Sequence, residues 1–275
     1  MALTLAIGNQ KGGVGKTALV TGLADALRNR GKTVLVVDAD PQANASTRLD
    51  VTDPDVTLND VLYSVTSPDD EGAAAGAIVP AGEGWGDVFV VPSERKLAAR
   101  EKDDSVNRDM RLKMALAGVG ERFDFVIIDC PPSLGSLTAN ALIAADDVLI
   151  VTEPRSDAVE GVGEFVTTMA NVQAYFNNSL SIAGVVVNRF RPNRTDPQLW
   201  LDFLKEQYQG LVLEPRGLIP DREVVAQAAA AHMPVSSYGS RALDVWMPLK
   251  YIGDHIIERA KEREEQLAGG VVSRG

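Results

Sequence analysis

The 275-residue sequence predicts a doubly wound α/β fold, a mostly parallel sheet flanked by helices with no separate second domain. Three observations predict it. Short β-branched apolar runs recur along the chain, as strands buried on both faces do. Longer stretches compatible with helix lie between them, and that alternation is the mark of parallel crossover topology. The length exceeds the commonest domain size but fits a single α/β core.

LTLAIG (3–8) reads as the first strand, NQKGGVG as a loop, and 16–30 as the first helix. TVLVVD (33–38) is the second strand, and a short helix follows at 57–63. The Gly/Ala-rich DDEGAAAGAIVPAGEGWGD then reads as a surface loop without order of its own. DVFVVP (87–92), FDFVIID (123–129), DVLIVTEP (147–154), IAGVVVN (182–188) and RGLIP (216–220) supply the remaining strands. Helices are expected over 94–118, 134–145, 157–176, 197–208 and 222–231. A closing helix over about 243–267 is expected to stop at Gly269 and Gly270, giving one domain over 1–268 and a flexible tail over 269–275.

Composition narrows the function. The formal charge is −11, and the last 87 residues balance 12 Lys+Arg against 12 Asp+Glu, so the whole acidic excess lies before Arg189. Any nucleic-acid surface is therefore expected in the last third, and an overall cationic coat is excluded. The single cysteine, Cys130, allows no internal disulfide, and with two histidines it leaves little for a Cys/His metal site. No basic leader or 18-residue apolar run is present, so the reading is cytoplasmic, with neither export nor membrane spanning.

The chemistry concentrates at residues 9–18. A strand, a glycine loop and a helix in that order form the context in which successive N–H groups and a helix N-terminus face one anion. Gly12, Gly13, Val14, Gly15, Lys16, Thr17 and Ala18 are the expected phosphate-binding residues. Lys16 is expected to reach the β- and γ-phosphates and Thr17 to hold Mg²⁺. Gln10 stands where the usual G-x-x-x-x-G-K-[ST] pattern has its first glycine. Two further carboxylates, Asp38 and Asp40, end the second strand on one side of an extended chain, although Asp40 before Pro41 could equally cap a short helix. Asp129 ends the fourth strand, at the edge where α/β sheets place ligands.

K-G-G-V-G-K-T resembles the deviant Walker A motif of the ParA/MinD family of ATPases, which carries the P-loop NTPase fold. The resemblance covers nearly the whole chain and accounts for Gln10. It implies ATP and Mg²⁺ as cofactors and a homodimer that sandwiches two nucleotides, with Lys11 crossing to the partner's phosphates. DADPQ resembles the family's second motif, implying that Asp38 acts near Mg²⁺ through water and Asp40 orients the attacking water. DCPPS resembles Walker B, implying Asp129 behind Mg²⁺ through a bound water and a switch segment that begins with Pro131, Pro132 and Ser133. Cys130 between them reads as a small buried residue without chemistry. Glu160 and Gly161 match a pair at subunit contacts, Asn188 an adenine-binding asparagine, and Pro220 a segment beside the base.

Within the family the wording is closer to ParA than to MinD. That implies non-specific DNA binding by the ATP-bound dimer, nucleoid association, and a ParB-type partner that stimulates hydrolysis and drives plasmid or chromosome segregation. Arg194 with Thr195 aligns with a DNA-contacting pair; Arg191, Arg222 and Arg241 are the other candidates, with an ordinary solvated loop as the alternative for the 189–194 arginines. Asp221 and Val224 replace basic residues of the family's IPRNVRL element. A MinD-like membrane anchor is not expected, because Glu258, Glu262, Glu264 and Glu265 offset the cations of the last helix. The iron-protein branch is excluded by the lone cysteine. An amidoligase, or a positioning ATPase with a protein cargo, remains open. No N-terminal helix-turn-helix domain is expected.

Overall fold

The computed structural model describes residues 2–272, with side chains through 268. Seven strands, β1 (Leu3–Gly8), β2 (Val34–Asp38), β3 (Val79–Pro80), β4 (Val88–Val91), β5 (Phe125–Asp129), β6 (Asp147–Thr152) and β7 (Ser181–Val187), form one sheet in the order β3-β4-β2-β5-β1-β6-β7. All neighbours are parallel except β3 and β4. The α-helices among the described residues are α1 (Lys16–Arg28), α2 (Asn44–Arg48), α3 (Leu58–Ser64), α4 (Arg111–Leu116), α5 (Ser136–Ala144), α6 (Ser156–Tyr175), α7 (Thr195–Gln207), α8 (Glu223–Ala230) and α9 (Leu243–Val272).

Strand periodicity divides the core. Leu5, Ile7, Val34, Val36, Ile127 and Val151 face α1, α8 and α9, whereas Ala6, Leu35, Val37, Ile128 and Ile150 face α3 to α6. Both faces are covered, which is why the strands show unbroken apolar runs instead of alternation. Leu19, Val20, Leu23 and Leu27 of α1 are buried, each contributing about 1.5–3 kcal/mol. The register pairs Asp38 with Asp129 across β2 and β5, and β5 lies directly beside β1. The carboxyl edge of the sheet thereby gathers the glycine loop and both acids.

Four expectations need correction. RGLIP is not a strand: the chain turns over 214–217 and forms only isolated bridges, Val185 of β7 to Val212 and Phe190, past the end of β7, to Pro220, with Ile219 N donating to Val187 O at 3.0 Å. The Gly/Ala-rich segment is ordered, with β3 and two 3₁₀ turns; Ala74, Ala77 and Trp85 are buried, and the Trp85 indole donates to His232 O at 3.0 Å. The stretch 94–118 is not one helix. Asp103 accepts from Ser105 N and Oγ and pairs with Arg111, and this local bonding competes with a continuous helix, leaving 3₁₀ turns before α4. Finally, α9 runs through Gly269 and Gly270 to Val272 instead of stopping near 267; of the expected tail, residues 273–275 lie outside the described residues.

Candidate functional site

The loop between β1 and α1 is shaped by backbone conformation. Gly13 and Gly15 adopt φ of +80° and +96°, a region that side chains disfavour. Gly15 is the N-cap of α1, and no side chain caps the helix, so its first-turn N–H groups have no side-chain acceptor. That is a ready anion site. Lys16 is almost fully buried, and its Nζ donates to Asn9 O and Lys11 O, both at 3.2 Å, folding over the loop. Burial lowers the Lys16 pKa, opposed by Asp129 and Asp40.

The carboxylates stand opposite. Thr17 Oγ1 donates to Asp129 Oδ2 at 2.8 Å, while Asp129 Oδ1 is buried without a hydrogen-bond partner. Asp38 Oδ2 accepts from Ser46 N and Ser46 Oγ at 2.7 Å each, which fixes α2, and its Oδ1 accepts from Asp40 N at 3.2 Å. Burial pushes the Asp38 carboxyl up to about 6, and burial followed by the charge of Asp38 pushes Asp129 well above the usual carboxylate range. Two buried acids, with Asp40 close by and Lys16 as a cation among them, require more positive charge. The orphaned Asp129 oxygen beside the Thr17 hydroxyl fits a divalent cation.

Asp40 does not cap α2; Ala43 holds the N-cap position, and Asp40 Oδ1 instead accepts from Gln42 N at 2.9 Å in a tight turn. Its second oxygen makes no hydrogen bond among the described residues. Lys11 Nζ is paired in its own chain with Asp157 at 2.7 Å, on the first turn of α6, and both side chains are well exposed. Burial pushes the Cys130 thiol up, in keeping with an inert residue.

Asn188 is brought to the loop, but its Nδ2 donates to Val14 O at 2.9 Å, leaving its carboxamide oxygen for a base. It lines a cavity of about 400 Å³ with Gly15, Ala18, Arg48, Pro220 and Asp221. Of the DNA candidates, Arg191 is paired with Asp221 and Arg222 with Asp244. Arg241 donates to Gln227 Oε1 at 2.7 Å and lies over Tyr238. Arg194 makes no ion pair among the described residues. Arg189 is turned onto the loop, donating to Gly13 O at 2.9 Å and pairing with Glu153.

Sequence reasoning missed Asn9. It is fully buried, its Nδ2 donates to Val151 O at 2.8 Å, and its Oδ1 accepts from Lys11 N at 2.9 Å. Gly161 is explained by the same contact: a Cβ there would lie 2.7 Å from Asn9 Oδ1 and 3.3 Å from Lys11 Cβ. The segment after β5 is also braced from outside, because Glu101 accepts from Ser133 Oγ at 2.8 Å and Asp109 from Ser136 Oγ. Only an unpaired polar residue at a strand end signalled Asn9; Glu101 carried no signal.

An anion cradle at the start of α1, facing the buried acids Asp38 and Asp129, defines a nucleotide-binding protein of the P-loop class. A family profile described as "AAA domain" matches residues 2–182. The chain is 34% identical to the sporulation initiation inhibitor protein Soj of Bacillus subtilis, over 90% of this chain and 97% of that one. It is equally identical to the chromosome partitioning protein ParA of Caulobacter vibrioides, over 96% and 97%. Among solved structures, one titled cobyrinic acid a,c-diamide synthase of Mycobacterium smegmatis, with bound ADP and magnesium, is 36% identical with a TM-score of 0.71, over 84% of this chain and 91% of that one. McdA of Cyanothece is 25% identical with a TM-score of 0.80, over 93% and 100%. The chain therefore belongs to the ParA/Soj family of P-loop ATPases. No described helix is long and apolar enough to cross a membrane.

Proposed function

We propose that the protein is a Mg²⁺-dependent ATPase that dimerises on ATP, binds DNA without sequence preference and works with a ParB-type partner in chromosome or plasmid segregation. The carrying observation is the juxtaposition of Thr17, the orphaned Asp129 oxygen and the buried Lys16 at the mouth of an uncapped α1. Thr17 and Asp129, with Asp38 one strand away, would hold Mg²⁺, which supplies charge neutralisation for the transferring phosphoryl group. Lys16 exchanges two carbonyl partners for phosphate oxygens. Asp40 orients the attacking water through the oxygen that Gln42 N leaves unbonded. Asn188 offers its oxygen to the adenine amino group, with Pro220 beside the base.

Lys11 acts across the dimer. Its pair with Asp157 is exposed, so exchanging that partner for the other subunit's phosphates requires little desolvation. Arg194 is the DNA cation most ready for use; Arg191, Arg222 and Arg241 must first exchange Asp221, Asp244 and Gln227 for phosphate. Nucleoid association follows from DNA binding. The match to nearly the full length of Soj and ParA supports the segregation reading. The test is DNA binding with ATP, ADP or no nucleotide across a salt series. Asp40→Ala should bind DNA yet hydrolyse poorly, and Lys11→Ala and Lys16→Ala should fail to bind; nucleotide-independent binding, or none, overturns the proposal. A ParB-type protein should raise the ATPase rate.

A further inference from the structure

One cation in the nucleotide cavity is unexplained by any motif. Arg48 ends α2, whose start is fixed by the Ser46 bonds to Asp38, and it borders the cavity beside Gly15 and Ala18. Its guanidinium makes no hydrogen bond or ion pair among the described residues, and the side chain is half-buried. The other charged groups lining that cavity are mostly committed: Arg189 to Glu153, Asp221 to Arg191, and Arg222 to Asp244. Glu223 lines it as well, on the first turn of α8. Burial lowers the Arg48 pKa while Asp129 raises it and Arg189 lowers it further. A half-buried guanidinium that borders an open cavity and has no protein acceptor is placed to meet an anionic ligand there. Ala18, its neighbour in the cavity, offers no side-chain donor.

We propose that Arg48 binds the α-phosphate of the nucleotide within its own subunit, supplying from α2 the donor that Ala18 lacks. The proposal rests on the nucleotide reading of the loop and deepens it. Lys16 takes the outer phosphates, and Arg48 takes the one that ATP and ADP share. Affinity for both nucleotides therefore depends on it, whereas affinity for adenosine does not.

Titrations of ADP, a non-hydrolysable ATP analogue and adenosine against wild type, Arg48→Ala and Arg48→Lys test this. Loss of a charge-assisted contact predicts about a 10- to 100-fold weaker affinity of Arg48→Ala for ADP and for the ATP analogue alike. Adenosine binding should be unchanged, and Arg48→Lys should recover part of the loss. Unfolding midpoints without nucleotide should not fall in Arg48→Ala, because an unpartnered cation is removed. Unchanged nucleotide affinity, a loss confined to the triphosphate, or a lowered nucleotide-free midpoint overturns the assignment. A wild type that binds no nucleotide overturns the loop reading itself, and this proposal with it.

Discussion

Replacing Gly15 with alanine should be distinctly more damaging than replacing Gly13, although both glycines have positive φ. A Cβ at Gly13 meets nothing within 4 Å, so Gly13→Ala incurs only the left-handed conformation, about 1–2 kcal/mol. A Cβ at Gly15 would stand 2.0 Å from Asn188 Nδ2, the atom that donates to Val14 O at 2.9 Å. Displacing that buried amide adds about 1–3 kcal/mol for the unmade hydrogen bond. Gly15→Ala should therefore lose roughly 2–5 kcal/mol. Urea unfolding of the nucleotide-free protein measures both variants. Adding Asn188→Ala removes the clashing atom, so the double variant should be more stable than the sum of the single losses by at least about 1 kcal/mol. Equal losses at Gly13 and Gly15, or strict additivity with Asn188→Ala, would refute the claim that Asn188 braces the loop.

The buried acids predict a pH dependence. The Asp38 carboxyl sits at about 6 in the folded protein and near 3.8 unfolded, so the native state holds the extra proton between those values. Stability without metal should fall as pH rises from about 4 to above 6, by on the order of 2–3 kcal/mol, and Asp38→Asn should flatten the slope in pH-resolved unfolding. Gly161→Ala should push Asn9 off Lys11 N and weaken nucleotide binding about fivefold, read by titration, with the far-UV circular dichroism unchanged. Glu101→Ala should release the Ser133 hydroxyl and speed amide exchange over 131–136, leaving exchange in β1 and β5 unaltered.

Residues whose places at the sheet's carboxyl edge are set by near neighbours in sequence were legible. The glycine loop, Lys16, Thr17 and the strand-end acids Asp38 and Asp129 follow from local pattern, and the register brings them together as expected. Residues whose roles depend on distant partners were not. Asn9 answers to Val151, Arg189 to Gly13, and Gly161 to Lys11, contacts that only the fold creates. The Gly/Ala-rich segment was misjudged for the same reason, since Trp85 is ordered by His232, 147 residues away. RGLIP has strand composition, but a strand requires a neighbour in register, and the turn before it permits only a bridge.

The assignment of Lys16 to its own subunit's phosphates and Lys11 to its partner's is tested most directly by mixing two inactive variants. Lys11→Ala and Lys16→Ala should each hydrolyse ATP very slowly alone. Mixed in equal amounts, any heterodimer has one site that pairs an intact Lys16 with an intact Lys11 from the other chain, and hydrolysis should rise above that of either variant alone, to at most about a quarter of the wild-type rate. A Lys11→Ala protein as active as wild type, or a mixture no more active than its components, would contradict the account.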